Sequence, residues 1–185
     1  MIHTRVGLGF DSHQLVAGRP CMLGGVLLEH PTGPAGHSDG DAVLHAVADA
    51  VLGAAGLDDL GTLFPDTDNA WKDADSSALL RDVYQRVLST GWQVGNLDLV
   101  IATDGPRIAP YRDAMRKQIA KCLGIQPDSV NVKGKSLEGL VALAKGDSVA
   151  VQAVVLLQRE CGGDPKDLLR VAPLFERLDD LRDGP

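Results

Sequence analysis

Between residues 41 and 56 the chain repeats one pattern: Val43, Leu44, Val47, Ala48, Val51, Leu52 and Ala55 are apolar, while Asp41, His45 and Asp49 recur every fourth residue. Apolar side chains at a 3.6-residue period make an amphipathic helix, and polar ones at i, i+4 and i+8 form a stripe displaced from the apolar face. Ser38 is the expected N-cap and Gly56 the expected C-cap. Such a helix needs an apolar surface to lie on, and strand-like segments supply it. Residues 2–10 and 21–29 read as strands that form a hairpin or lie side by side, separated by the loop Val16–Pro20, and a polar loop spans His30 to Gly40. Val94–Thr103, 130–136 and 147–158 are also rich in Val, Leu and Ile.

Two more helices fit the pattern. Leu79, Leu80, Val83, Tyr84, Val87 and Leu88 share a face of Ser76–Thr90 ahead of Gly91, and Met115, Ile119, Cys122 and Leu123 precede Gly124. Ahead of the first of these, after Gly56, lies an acid-rich loop, about 57–75, broken by Pro65, whose length points to a functional loop. Helices interleaved with strands predict an α+β fold, an α/β sandwich with a mixed sheet covered by helices, in a single domain over 1–159. Residues 160–185 read as an appended tail with one short helix interrupted by Pro173.

Composition narrows the function. At 185 residues the chain fits one domain, and 18 basic against 25 acidic residues leave a net charge of -7, which argues against nucleic acid as a partner. Only 4% of residues are aromatic, so the core is thin per residue and burial against other copies of the chain is expected. No signal-peptide pattern follows Met1, and an apolar run such as Val149–Leu157 falls short of the roughly 20 residues of a membrane helix. A cytoplasmic protein away from membranes is expected. Cys21, Cys122 and Cys161 are scattered without C-x-x-C spacing, which suggests neither a disulfide framework nor a thiolate zinc site.

The candidate chemistry lies in two short segments. Asp11 and His13 alternate along an extended chain and so share one side of it. Three of the five histidines, His13, His37 and His45, fall near Asp11, Ser38, Asp39 and Asp41. Two imidazoles and one carboxylate drawn from these, with no thiolate, suit zinc with an open coordination position. Asp66–Asn69 starts like a calcium loop but has Trp71 where Gly is required. Gly7-Leu8-Gly9 is a fragment of a dinucleotide fingerprint, and Lys133–Ser136 lacks the Gly that a Walker motif needs at 129.

Taken together and in order, Gly9-Phe-Asp-Ser-His13, His37-Ser-Asp-Gly-Asp41, Leu44-His-Ala46, Asp59-Leu-Gly-Thr-Leu-Phe-Pro-Asp-Thr-Asp68, Gly95–Asp98, Gly105-Pro-Arg107 and Asn131–Lys133 resemble the 2-C-methyl-D-erythritol 2,4-cyclodiphosphate synthase family. The resemblance covers roughly residues 5–158. It implies a zinc-dependent lyase of non-mevalonate isoprenoid synthesis. The reaction closes 4-diphosphocytidyl-2-C-methyl-D-erythritol 2-phosphate on itself and releases CMP. By this resemblance Asp11, His13 and His45 hold zinc, and Glu138 holds a Mg or Mn ion on the substrate diphosphate. His37 and Ser136 are the implied catalytic residues. Asp11, Ser12, His13 and Ser38 contact the substrate, helped by Asp59, Leu60, Gly61 and the stretch Phe64, Pro65, Asp66, Thr67, Asp68. Thr103, Gly105, Pro106 and Arg107 form the cytosine strip, lent by a neighbouring subunit of a homotrimer, and Lys135, Ser136 and Glu138 meet the diphosphate.

Departures from the family pattern lie at Lys135-Ser-Leu-Glu138, Val141–Lys145 and Asp104, which stands where a neutral Gln is common. Ser136 keeps the hydroxyl. The alternative is a metal-dependent phosphoesterase on the same scaffold, distinguished by releasing free phosphate. A non-catalytic trimeric binding protein is disfavoured by the intact ligand set.

Overall fold

The computed structural model describes residues 2–72, 74–138 and 148–160. Strand β1 (Ile2–Ala17) lies between β4 (Thr32–Pro34) and β7 (Ser148–Glu160), and β5 (Gln93–Thr103) and β6 (Val130–Lys135) complete a five-stranded sheet in the order β4-β1-β7-β5-β6. The β5–β6 pair is parallel and the other pairs are antiparallel, so the sheet is mixed as expected. Helices α1 (Ala42–Ala55), α3 (Ser76–Ser89) and α4 (Arg112–Leu123) complete the α+β sandwich. The core between the layers is built from aliphatic side chains such as Leu44, Val51, Leu80, Leu99, Ile119 and Val151.

Several local expectations are revised. The first strand does not end near residue 10 but runs to Ala17, because it keeps pairing with β7 and then β4. Segment 21–29 is not its neighbour. It folds on itself as a small hairpin, β2 (Cys21–Leu23) and β3 (Val26–Leu28), turned by Gly24 and Gly25 at positive φ, a conformation open to glycine. The polar loop 30–40 contains β4, and the acid-rich loop contains the one-turn helix α2 (Leu60–Leu63) and a 3₁₀ turn at Asn69–Trp71. The cap of α1 is Asp41 rather than Ser38. Its carboxylate accepts from the N–H groups of Val43 and Leu44, whereas Ser38 Oγ accepts from Gly40 N. Gly56 closes α1 in the left-handed conformation, as expected. The tail beyond Glu160, its short helix and the Val141–Lys145 segment lie outside the described residues.

Sequence alternation fixes what each sheet face carries. Odd residues of β1 turn toward α1 and even ones away, leaving Val6, Leu8 and Phe10 at 68%, 66% and 52% exposure, with Val154 of β7 beside Leu8. On the covered face, Gly7 and Gly9 lie against the α1 backbone so closely that a Cβ on Gly9 would fall 1.9 Å from Ala46 O. Gly9→Ala is therefore expected to lower stability by roughly 2–3 kcal/mol through forced separation of helix and strand. A urea unfolding midpoint unchanged by this substitution would contradict the close-approach account.

Candidate metal centre

Two elements deliver the three candidate ligands. Asp11 and His13 are alternate residues of β1 and point to its helix side, and His45 stands in the first turn of α1, which β1 carries at glycine distance. Asp11 Oδ2 lies 3.0 Å from His45 Nδ1 and 3.0 Å from His13 Nε2. The His13 contact lacks the alignment of a hydrogen bond, and this buried nitrogen finds no hydrogen-bond partner among the described residues. One donor atom from each residue falls within 4.8 Å of the others. An oxygen and two ring nitrogens converging at a half-buried spot, one of them orphaned, fit a divalent metal. The expected trio is thus brought together, in mid-strand rather than at a strand end.

Electrostatics favours a cation there. Burial works against ionisation of Asp11, but the contacts and charge of His13 and His45 outweigh it and hold the carboxyl well below the ordinary carboxylate range. Burial opposes a charged His45 as well, yet Asp11, then Asp41 and Asp39, raise its pKa above the usual histidine value. The far nitrogen of His45 is also engaged: Nε2 lies 2.9 Å from Ser76 Oγ and 3.3 Å from Ser38 Oγ.

The neighbouring turn is pinned rather than free. Arg19 donates from Nη1 to Gly36 O at 3.1 Å and from Nη2 to Ser38 O at 2.7 Å, gripping the backbone on both sides of His37. His37 Nε2 is buried without a hydrogen-bond partner among the described residues. Such an atom is costly to leave unpaired and is a natural contact for an incoming anion. Ser12 is exposed on the opposite side of β1 from Asp11 and His13, with only its backbone N–H engaged by Asp11 Oδ1.

The acid-rich loop starts at the metal helix. Asp49, on the same stripe as His45, accepts from Leu60 N at 2.8 Å, and burial pushes its carboxyl upward. Asp59 caps α2 through Thr62 N, and Gly61 is exposed on that turn. Phe64 anchors the loop edge-on to Trp71 at 4.9 Å, next to Pro65, and leaves Asp66, Thr67 and Asp68 exposed.

A second group of expected residues gathers elsewhere. Thr103, Pro106, Arg107, Lys135 and Ser136 line a cavity of about 490 Å³ together with Ile108, Arg112 and Lys133, and the metal trio is not in its wall. Gly105 follows Thr103 through a hydrogen bond to its hydroxyl. Asp104 ties the two strips together, accepting from Ser136 Oγ at 3.1 Å and Leu137 N at 2.8 Å, while Ser136 Oγ takes Glu138 N at 2.9 Å. Glu138 is exposed with φ +50. Sequence reasoning missed Arg19, Ser76, Arg112 and the anchoring use of Asp104. Ser76 read only as the start of a helix, and its contact with His45 spans 31 residues.

The YgbB family model matches residues 4–158 of the chain. A 2-C-methyl-D-erythritol 2,4-cyclodiphosphate synthase from Bordetella avium is 52% identical over 159 residues, covering 86% of this chain and 98% of the relative. A solved structure of a synthase of the same name, in a form with bound CDP, is 40% identical with a TM-score of 0.76 over 83% of this chain and 99% of that one. The bifunctional IspDF of Campylobacter jejuni aligns with a TM-score of 0.82 and 36% identity over 86% of this chain, which spans only 43% of that longer protein.

The geometry sets a pH test. Ligation at Nδ1 must displace the proton that Asp11 favours on His45, so divalent metal affinity is expected to rise with pH through and above the ordinary histidine pKa and to release protons. His45→Ala and Asp11→Asn are expected to remove the bound ion. Elemental analysis after dialysis, with calorimetry in buffers of different ionisation heat, checks both; metal retained at wild-type level by His45→Ala would exclude the trio.

Proposed function

The chain belongs to the YgbB family, that of the 2-C-methyl-D-erythritol 2,4-cyclodiphosphate synthases, and on that premise we propose the reaction it carries out. It is a phosphorus–oxygen lyase of non-mevalonate isoprenoid synthesis. Its substrate is 4-diphosphocytidyl-2-C-methyl-D-erythritol 2-phosphate, and its products are 2-C-methyl-D-erythritol 2,4-cyclodiphosphate and CMP. The observation that carries this reading is the convergence of Asp11, His13 and His45 beside the pinned His37–Ser38 turn.

An oxygen of the 2-phosphate attacks the β-phosphorus of the same molecule. A new P–O bond forms there as the bond from that phosphorus to the bridging oxygen breaks, and the electron pair leaves on CMP. No protein nucleophile is needed, so the residues' task is to fold the substrate and balance its charge. His37 and Ser38 offer hydrogen bonds to the phosphate, His37 through its unpartnered Nε2. Asp59 through Asp68 grip the erythritol portion, and Thr103–Arg107 receives cytosine. Lys135 and Ser136 face the diphosphate. Asp11, His13 and His45 would hold zinc and Glu138 would help hold magnesium or manganese, and these ions would supply Lewis-acid charge to the phosphates when bound.

The active site is read as shared between subunits of a homotrimer. Two observations support this: the cavity of Thr103–Ser136 is walled without the metal trio, and Val6, Leu8, Phe10 and Val154 leave an apolar face of the sheet uncovered. The family match ends at 158, which favours 1–159 as the catalytic domain and 160–185 as an appendage. No helix among the described residues is long and apolar enough to cross a membrane, and a cytoplasmic location fits the pathway.

Purified full-length chain with zinc and magnesium is expected to release CMP and cyclic diphosphate from the cytidyl substrate. His37→Ala is expected to lower kcat by roughly 10²–10³-fold. Free phosphate in place of the cyclic product would assign a phosphoesterase instead. Native mass spectrometry is expected to show three chains, and Leu8→Glu to yield monomers without turnover; a fully active monomer would refute the shared site.

A further inference from the structure

We infer that Ser76 and Asp39 are positioning residues for the metal, a relay that holds His45 as the tautomer with a proton on Nε2 and a free lone pair on Nδ1. The inference rests on the reading that Asp11, His13 and His45 hold zinc. Ser76 is 1% exposed and opens α3, far from β1 and α1 in sequence. It addresses both oxygens of one carboxylate: its backbone N–H donates to Asp39 Oδ2 at 3.1 Å and its hydroxyl donates to Asp39 Oδ1 at 2.5 Å. Asp39 is held in turn by Asp41 N, which donates to Oδ1 at 3.1 Å.

Proton counting then decides the role of His45. A serine hydroxyl has one proton, and that of Ser76 is committed to Asp39. Only lone pairs of Ser76 Oγ remain to face His45 Nε2 at 2.9 Å, so this contact is a hydrogen bond only when Nε2 carries the hydrogen. Ser38 Oγ, at 3.3 Å from the same nitrogen, already accepts from Gly40 N and is the weaker neighbour. With Nε2 protonated, the Nδ1 lone pair is directed at the Asp11 oxygen 3.0 Å away, an arrangement that suits a cation between them. The carboxylate–hydroxyl–imidazole chain also fixes the ring plane, as outer-shell partners of ligating histidines do. The competing arrangement has Ser38 donating into an unprotonated Nε2, with the hydrogen on Nδ1, and leaves Nδ1 unable to ligate.

The test uses the full chain, stripped of metal and titrated with zinc against a chromophoric chelator. Ser76→Ala and Asp39→Asn are expected to bind zinc roughly 10- to 100-fold more weakly than wild type. Ser76→Thr, which keeps the hydroxyl, is expected to recover much of the loss. Long-range ¹H–¹⁵N NMR of the zinc-loaded wild type is expected to show His45 protonated on Nε2 and ligating through Nδ1. Folded Ser76→Ala with affinity within twofold of wild type would overturn the relay, and so would a zinc-loaded His45 protonated on Nδ1. The NMR result decides the matter even where a variant does not fold. Failure of the underlying metal reading has a separate signature, zinc bound by His45→Ala as tightly as by wild type.

Discussion

The closeness of helix α1 to strand β1 governs the rest of the structure. Without side chains at Gly7 and Gly9, the carbonyls of Ala50 and Ala46 lie where Cβ atoms would be, 2.0 and 1.9 Å from those positions. Asp11 comes two residues after Gly9 on the same strand face, and His45 one residue before Ala46, so the contact that glycine permits also sets the separation of the ligands. Strand β1 is held by its pairing with β7 from Ile2↔Glu160 to Gln14↔Ser148. A one-residue slip would turn Asp11 and His13 to the opposite face, away from His45.

A buried acid fixes the other coordinate. Asp41 is fully buried, and its two oxygens accept from the N–H groups of Gly24, Gly25, Val43 and Leu44. Burial pushes its carboxyl upward, and the backbone donors oppose that push. The side chain therefore joins the β2–β3 turn to the start of α1, while Arg19 grips the turn from Gly36 to Ser38. His37 is caught between these two anchors. Its unpaired nitrogen is held in place by backbone contacts, which a substrate phosphate need not reorganise.

What was legible in the sequence followed from periodicity. The apolar stripes of residues 42–55 and 76–89 found both helices because each buries one continuous face, and glycine marked their ends. Alternation put Asp11 and His13 on one side of a strand. The helix cap was misplaced because Ser38 and Asp41 both offer capping oxygens, and only the tertiary demand of Gly24 and Gly25 for an acceptor selects Asp41. The 21–29 hairpin read as one strand because its two glycines sit inside an apolar run. Arg19 and Ser76 escaped notice for a common reason: each acts over a distance in sequence through hydrogen bonds, which leave no period to read.

Charge is divided within the chain in a way the net value conceals. The acid surplus of 25 against 18 collects around the metal helix, where Asp11, Asp39, Asp41 and Asp49 lie, and along the exposed loop with Asp59, Asp66 and Asp68. Arg107, Arg112 and Lys135 line the cavity at the ends of β5 and β6, whereas Lys133 in the same wall is already paired with Asp98 at 2.6 Å. A phosphate-rich substrate meets cations directly at the second region and requires metal ions at the first. In the proposed trimer one chain's acid-rich edge meets its neighbour's basic strip. The uncovered strand face of Val6, Leu8 and Phe10 is then the surface that brings those halves together, and the apolar burial that few aromatic side chains provide within one chain is supplied between chains.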